Sequence, residues 1–449
     1  MTRTLSNPTE SLRKRTAAWV VGICFMGLVF DGYDLVVYGT VLSTLLRDPE
    51  WALTPAQAGA IGSYALFGMM LGALAAGAVG DYIGRRRLLL GAIAWFSVGM
   101  GLTAMAPDVT LFGAGRFFTG IGIGALVAAA GATVAEFAPP GKRNLYNAIV
   151  FAGYPVGGVL ASVVALAILE PFGFRTLFWI GALPLVTLLP LAMVKLPESP
   201  TWLHSRGRLE EDRAVSERTG VPLPDGEIAP VADTKPARGG LVGLFTGRFA
   251  MATILIGFMS AGGLMLTYAL NTWLPELMGR AGFSVKGSLS FLLVLNGGAI
   301  FGSLFASRFA DRFGPKHVIF GTFTLAAVSI AVLTLTLPLP VLLLFVAIAG
   351  LGTIGTQVLI YGFVSNYYPT STRAAGVAWA AGFGRLGGIA GPLIGGLLLA
   401  AALDLKWIFL TFALIAVVGA VVTALVPAVT TERRAIVIEP AVAGDAAKA

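Results

Sequence analysis

The sequence predicts an all-helical membrane protein of twelve transmembrane helices, built as two parallel six-helix repeats. Three observations carry that prediction. Of the 449 residues, 56% are hydrophobic and 12% are charged, about half the charge a soluble chain carries. The apolar residues gather into runs long enough to cross a bilayer, which takes about 20 residues each. The two halves of the chain also repeat with one constant offset.

The same composition excludes several function classes. Twelve crossings with short connections leave no room for a large extramembrane catalytic domain. The single cysteine, Cys24, lies inside an apolar run, so neither a disulfide framework nor a cysteine metal site is available. Two histidines, His204 and His317, are too few for a histidine-rich centre. No cofactor or metal is expected, and no nucleophile, base or metal constellation marks an enzyme. The net charge of +8 sits in segments between apolar runs rather than on a soluble basic face, which argues against a nucleic-acid partner.

Apolar runs between charge and Pro/Gly breaks place the spans in order. Span 1 covers 17–46 and follows Arg13, Lys14 and Arg15. It imitates a signal peptide, but its length, its two aspartates and the lack of a small-residue cleavage site predict that it is retained. Spans 2 and 3, 56–80 and 88–106, flank the charged segment ending in Arg85, Arg86 and Arg87. Span 4, 109–137, stops before Pro139 and Pro140, and span 5, 144–169, starts after Lys142 and Arg143. Span 6 covers 175–195. After a long segment rich in charge, Pro and Gly, spans 7 to 12 follow at 248–278, 288–308, 318–336, 339–366, 373–402 and 406–428. The expected organisation is therefore a first half at 1–195, a cytoplasmic linker at 196–247, a second half at 248–428 and a cytoplasmic tail at 429–449.

Basic residues orient the chain. With the N-terminus inside, cytoplasmic segments hold 24 of the 31 Lys and Arg, and the opposite side holds five: Arg47, Arg175, Arg280, Lys286 and Lys406. That bias predicts a cytoplasmic-membrane protein with both termini cytoplasmic.

The repeat offset is 230 residues. It takes Asp81 and Gly84 to Asp311 and Gly314, Gly120 and Gly122 to Gly350 and Gly352, and Glu136 to Asn366. Pro139 falls on Pro369, Arg143 on Arg373, Gly157 and Gly158 on Gly387 and Gly388, Gly32 on Gly262, and Tyr38 on Tyr268. Parallel six-helix repeats are the layout of a secondary transporter whose substrate lies between the halves near mid-membrane.

The segment GDYIGRRR at 80–87, its weaker copy ADRFGPKH at 310–317 and the six-plus-six layout resemble the major facilitator superfamily over nearly the whole chain. Within it, DGYDLVVYGT at 31–40 and YPTSTRAAG at 368–376 resemble the aromatic acid:proton symporter family. That resemblance implies the major facilitator fold, proton-coupled uptake of a small aromatic carboxylate such as benzoate or a hydroxybenzoate, and functional weight on Asp31, Asp34, Arg116, Glu136, Arg373 and Arg385. The expected partners are that substrate, protons and the lipid bilayer.

Few charges lie inside the spans. Asp31 and Asp34, with Tyr38, share one helical face, which must turn inward because an ionised aspartate facing lipid costs at least about 2.5 kcal/mol. One of two neighbouring carboxylates in a poorly hydrated site can carry the coupled proton; the alternative is a permanent salt bridge that packs the bundle. The repeat replaces both aspartates, with Ala261 and Leu264, which favours coupling. Arg116 lies at a similar depth, as their counter-ion or as a contact for an anionic substrate. Arg385, in the glycine-rich stretch 381–392, matches a carboxylate with two parallel hydrogen bonds, unless it forms a structural or gating ion pair. Tyr38, Tyr154, Trp379 and Phe383 are candidate stacking partners for a flat ligand.

The remaining candidates are conformational. Asp81 and Arg85, with Asp311 in the second copy, belong to turns that latch the inward side in the superfamily. Glu136 at the inner end of span 4 is a candidate gate, within reach of Arg85, Arg143 or Arg373. Pro315 and His317 replace the first copy's Arg85 and Arg87, so a weaker latch is expected there. The alternatives to aromatic acid uptake are a proton symporter for aliphatic or alicyclic acids and a sugar porter. The latter is raised by Pro197-Glu198-Ser199-Pro200 and Trp202, but span 7 lacks the paired glutamines expected of a sugar site.

Overall fold

A computed structural model describes residues 8–139, 142–221, 240–247 and 249–427. It contains twelve helices long and apolar enough to cross a membrane, and the chain is a multi-pass membrane protein. The spans are Glu10–Arg47, Pro55–Ile83, Arg85–Met105, Val109–Phe137, Leu145–Phe172, Phe174–Lys195, Phe249–Arg280, Val285–Phe313, Pro315–Val332, Leu339–Tyr367, Ala375–Ala400 and Leu405–Leu425. Span 1 begins earlier than hydropathy alone places it, because the polar turn holding Arg13, Lys14 and Arg15 continues the same helix. The tail at 429–449 and linker residues 222–239 lie outside the described residues. The rest of the linker carries helices at Pro200–Ser205, Leu209–Thr219 and Leu241–Leu244.

Local chemistry sets the ends. Thr54 opens span 2 with a capping box, its hydroxyl accepting from the Gln57 amide while the Gln57 side chain accepts from the Thr54 amide. Asp108 and Ser284 cap spans 4 and 8 in the same sense, each accepting one otherwise unpaired amide. Gly84, at φ +98°, makes the turn from span 2 into span 3, a conformation that strains any residue with a Cβ.

Serine and threonine within the spans return their hydroxyls to their own helix. Ser97, Thr103, Thr119 and Thr133 each donate to the carbonyl four residues back, which satisfies the hydroxyl where no water is at hand. Three spans are interrupted. Span 5 breaks at Ala152, span 6 narrows to a 3-10 turn at Leu183–Leu185, and span 10 widens to a π turn at Leu351–Gly355.

Span 2 packs along spans 4 and 11, span 1 along span 5, and span 7 along span 11. Small residues let the backbones meet. A Cβ on Gly32 would overlap the carbonyl oxygen of Tyr154, which locks spans 1 and 5 together beside Asp31. We term the end bearing residues 80–87 inner, following the charge bias. Among the described residues, the hydrogen bonds, ion pairs and close glycine approaches between the first six and last six spans lie from mid-bundle to the outer end. There Ser63 donates to the carbonyl of Ile389 at 2.6 Å, Lys286 meets Glu170 at 3.1 Å, and Gly39 abuts the carbonyl of Asn271. Pro275, four residues on from Asn271, has no N–H to give that carbonyl.

Candidate functional site

Two neighbouring charge centres form on span 1, around Asp31 and Asp34, which lie one turn apart on the same face and feel each other's charge. Asp34 is fully buried and is bound by Arg116 of span 4, whose second nitrogen also reaches the Asp34 backbone carbonyl at 3.2 Å. The guanidinium is 1% exposed, and the rings of Tyr38 and Phe178 cover it, their centroids 5.6 and 6.0 Å away. Tyr38 is itself buried and donates its hydroxyl to the carbonyl of Ala58 at 2.6 Å. Asp34, Arg116 and Tyr38 thus make one closed unit, in which the cation and the phenol are already engaged by the protein.

Asp31 belongs to the other centre. It is 3% exposed, and its Oδ1 accepts no hydrogen bond. It interacts electrostatically with Arg385 of span 11, with Tyr154 of span 5 and with Tyr268 of span 7. Tyr361 of span 10 joins Arg385 and the Gln357 amide in the same cluster. Among the described residues Arg385 forms no ion pair, and the Tyr154 hydroxyl has no hydrogen-bond partner. Arg385, Tyr154, Tyr268 and Tyr361 are only half-buried, and the space beside Gly262 is open. A cation, a carboxylate and three phenols therefore come together between the halves, near the uncrowded Gly262.

The repeat behaves asymmetrically here. Gly32 is packed tight, whereas its copy Gly262 faces open space. Tyr38 is sealed against span 2, whereas its copy Tyr268 lies in the cluster, against Gly388. Sequence reasoning missed Tyr268, Tyr361 and Gln357 as site residues; for Tyr268 the repeat with Tyr38 was the available signal.

Trp379 and Phe383 lie further toward the inner end of span 11. The Trp379 indole donates to the carbonyl of Thr253 at 2.8 Å, and its ring meets Phe245 and Phe383 at 4.9 and 5.1 Å. Phe383 also packs edge-on against Phe258. These two rings pack the junction of spans 7 and 11 and the end of the linker.

At the inner end, Asp81 pairs with Arg85 at 2.9 Å, and the Arg85 Nε lies 3.5 Å from Glu136. The hydroxyls of Ser199 and Thr201 approach the same Glu136 carboxylate. The segment after span 6 ties the turn down. Glu198 accepts from the Arg86 amide at 2.9 Å, while the Trp202 indole and the Arg206 guanidinium donate to the Asp81 carbonyl at 2.9 and 2.7 Å. The Arg86 side chain donates in turn to the carbonyls of Leu196 and Met193. Arg143 and Arg373 are exposed and, like Asp311, form no ion pair among the described residues. In the second copy, Lys316 donates to the carbonyl of Val426 at 2.6 Å.

Comparison with known proteins agrees with this architecture. Residues 19–341 match the family described as "Sugar (and other) transporter", and residues 288–443 match "Major Facilitator Superfamily". A protein named "Gentisate transporter" from Corynebacterium glutamicum is 36% identical over 91% of this chain and 86% of its own length. A "Benzoate transport protein" from Acinetobacter baylyi is 33% identical over 89% and 87%. Among solved structures, the xylose transporter XylE from E. coli in an inward open conformation aligns with a TM-score of 0.72 at 18% identity, covering 93% of this chain and 98% of its own. Twelve apolar helices, the internal repeat and relatives matched over almost their whole length lead to one conclusion: this chain belongs to the major facilitator superfamily of membrane transporters.

Proposed function

We propose that this protein takes up a small aromatic carboxylate of the benzoate or hydroxybenzoate type together with protons, by alternating access across the cytoplasmic membrane, with both termini inside. The observation that carries the reading is Arg385, a guanidinium within a span that forms no ion pair among the described residues and stands near Asp31, Tyr268 and Tyr361. A cation left unpaired at that depth is costly unless a ligand completes it. The names of the gentisate and benzoate relatives support an aromatic acid as that ligand.

The same geometry gives a coupling logic. Ionised Asp31 and a substrate carboxylate compete for the positive field of Arg385. A proton on Asp31 removes the competitor, so anion binding and proton binding strengthen each other, and linkage makes the effect reciprocal. Asp34 takes no part in this exchange because Arg116 already neutralises it. Tyr154, Tyr268 and Tyr361 offer faces and hydroxyls to the ring, while the Asp81–Arg85–Glu136 cluster holds the inner end of the first half as the two halves rock. One proton cancels the charge of the anion; each further one lets the membrane potential contribute about 2.3 kcal/mol per 100 mV.

The test is uptake of labelled benzoate, 4-hydroxybenzoate, protocatechuate, shikimate and glucose by cells making the protein, with and without a protonophore. Accumulation of an aromatic acid that collapses with the proton gradient is expected. Accumulation that persists refutes proton coupling, and transport of glucose alone refutes the substrate class.

A further inference from the structure

At the outer seam the second half presents to the first two oxygen acceptors that meet no donor among the described residues. Asn296 of span 8 is fully buried, and its amide nitrogen donates to Asn271 Oδ1 at 2.9 Å and to the carbonyl of Leu292 at 3.0 Å. Both of those partners are acceptors, so the amide cannot turn over. Its oxygen, which has no hydrogen-bond partner, is thereby held against the backbone of Gly158 in span 5, where a Cβ would overlap it. Asn271 of span 7, 1% exposed, repeats the arrangement with its main-chain carbonyl. Pro275 has no N–H to give that carbonyl, no side chain among the described residues donates to it, and it abuts Gly39 of span 1. Glycine Cα–H groups are weak donors at best. The first half thus meets both acceptors with glycine and leaves them dry.

We propose that these two acceptors are a hydration switch that sets how readily the outer end opens. While the halves are together, each oxygen is out of water and unmet, which is costly for a buried polar group. When spans 1 and 5 move away from spans 7 and 8, water reaches both oxygens and that cost disappears. A cleft beside the seam, lined by Thr40, Pro275 and Ser288 among others, opens to solvent and has room for water and little more, which gives the hydration a route. The cost falls on one state and not the other, so it shifts the population toward the open one. It acts against the contacts that hold the seam shut, Ser63 with the Ile389 carbonyl and Lys286 with Glu170. In a transporter whose halves must part and rejoin, this opposition keeps both states within reach.

Ser63, buried at the seam between spans 2 and 11, reports opening. In a Cys24→Ser background, Ser63→Cys in right-side-out membrane vesicles is labelled from outside with an impermeant thiol reagent, dilute enough that the rate follows the open population. Pro275→Ala supplies an N–H to the Asn271 carbonyl. Asn296→Ser removes the other acceptor, since its hydroxyl can return to the Leu292 carbonyl as those of Ser97 and Thr103 do on their own helices. Each variant is expected to slow labelling at least about fivefold, the effect of relieving one unmet acceptor, and the two together to slow it further. Loss of the fold exposes the introduced thiol and speeds labelling, so misfolding cannot imitate that result. A parental or faster rate in either variant, in protein that still elutes as a single species, overturns the proposal.

Discussion

The Asp34–Arg116 pair gives the sharpest energetic test. Both side chains are 1% exposed, and two aromatic rings close over the cation. Removing one partner leaves the other charge buried with nothing to balance it, a loss of about 3–5 kcal/mol, whereas replacing both with neutral groups of similar shape is often nearly neutral. Asp34→Asn and Arg116→Gln are therefore each expected to destabilise the protein by about that amount. The double variant keeps an amide–amide hydrogen bond and no charge, and should recover at least about 3 kcal/mol of the summed losses. The assay is reversible unfolding of the purified protein in mixed micelles by added dodecyl sulfate, followed by tryptophan fluorescence, for the four members of the cycle. Effects that add to within about 0.5 kcal/mol refute the claim that the two charges stabilise one another. The same double variant should retain proton-dependent uptake, because the proton is assigned to Asp31; its loss with the fold intact refutes that division of labour.

Further outcomes follow from the same geometry. Arg385→Ala, and to a lesser degree Arg385→Lys, should weaken binding of labelled benzoate to the purified protein about 10–150-fold, the value of one charged hydrogen-bonding group of about 1.5–3 kcal/mol; wild-type affinity in Arg385→Ala refutes the ligand assignment. Asp31→Asn should abolish accumulation against a gradient while leaving exchange of labelled for unlabelled substrate intact, as measured by counterflow in proteoliposomes. Glu198→Ala removes the acceptor of the Arg86 amide and should cost about 1 kcal/mol of local stability, seen as faster tryptic cleavage at Arg206 and Arg208; an unchanged cleavage rate shows that Glu198 does not hold the turn. Gly39→Ala places a methyl group on the Asn271 carbonyl and should keep the outer seam from closing, read as faster labelling of Ser63→Cys from outside.

What could be read from the chain and what could not divide along a physical line. The cost of putting charge and unpaired backbone in lipid acts on every residue of a span independently of its neighbours. Span number and the approximate ends of the spans, the multi-pass class and the short roster of intramembrane charges were therefore legible from composition and spacing. The constant offset likewise revealed the repeat before any coordinates, because the relation between halves is written in single residues such as Asp81 and Asp311.

Pairing is a different matter, since it depends on the rotation of each helix and on where it crosses another. Asp31 and Asp34, three residues apart on one helix, end in separate centres: one is sealed by Arg116 and Tyr38, the other is open toward Arg385, Tyr154 and Tyr268. Trp379, six residues from Arg385 on the same helix, is turned to the Thr253 carbonyl, while Tyr361 and Gln357 arrive from span 10 with no sequence mark to announce them. A hydropathy profile measures how much each residue dislikes water. Which of the few intramembrane charges find each other, and which forms no ion pair among the described residues, was decided by helix crossings such as the contact of Gly32 with Tyr154.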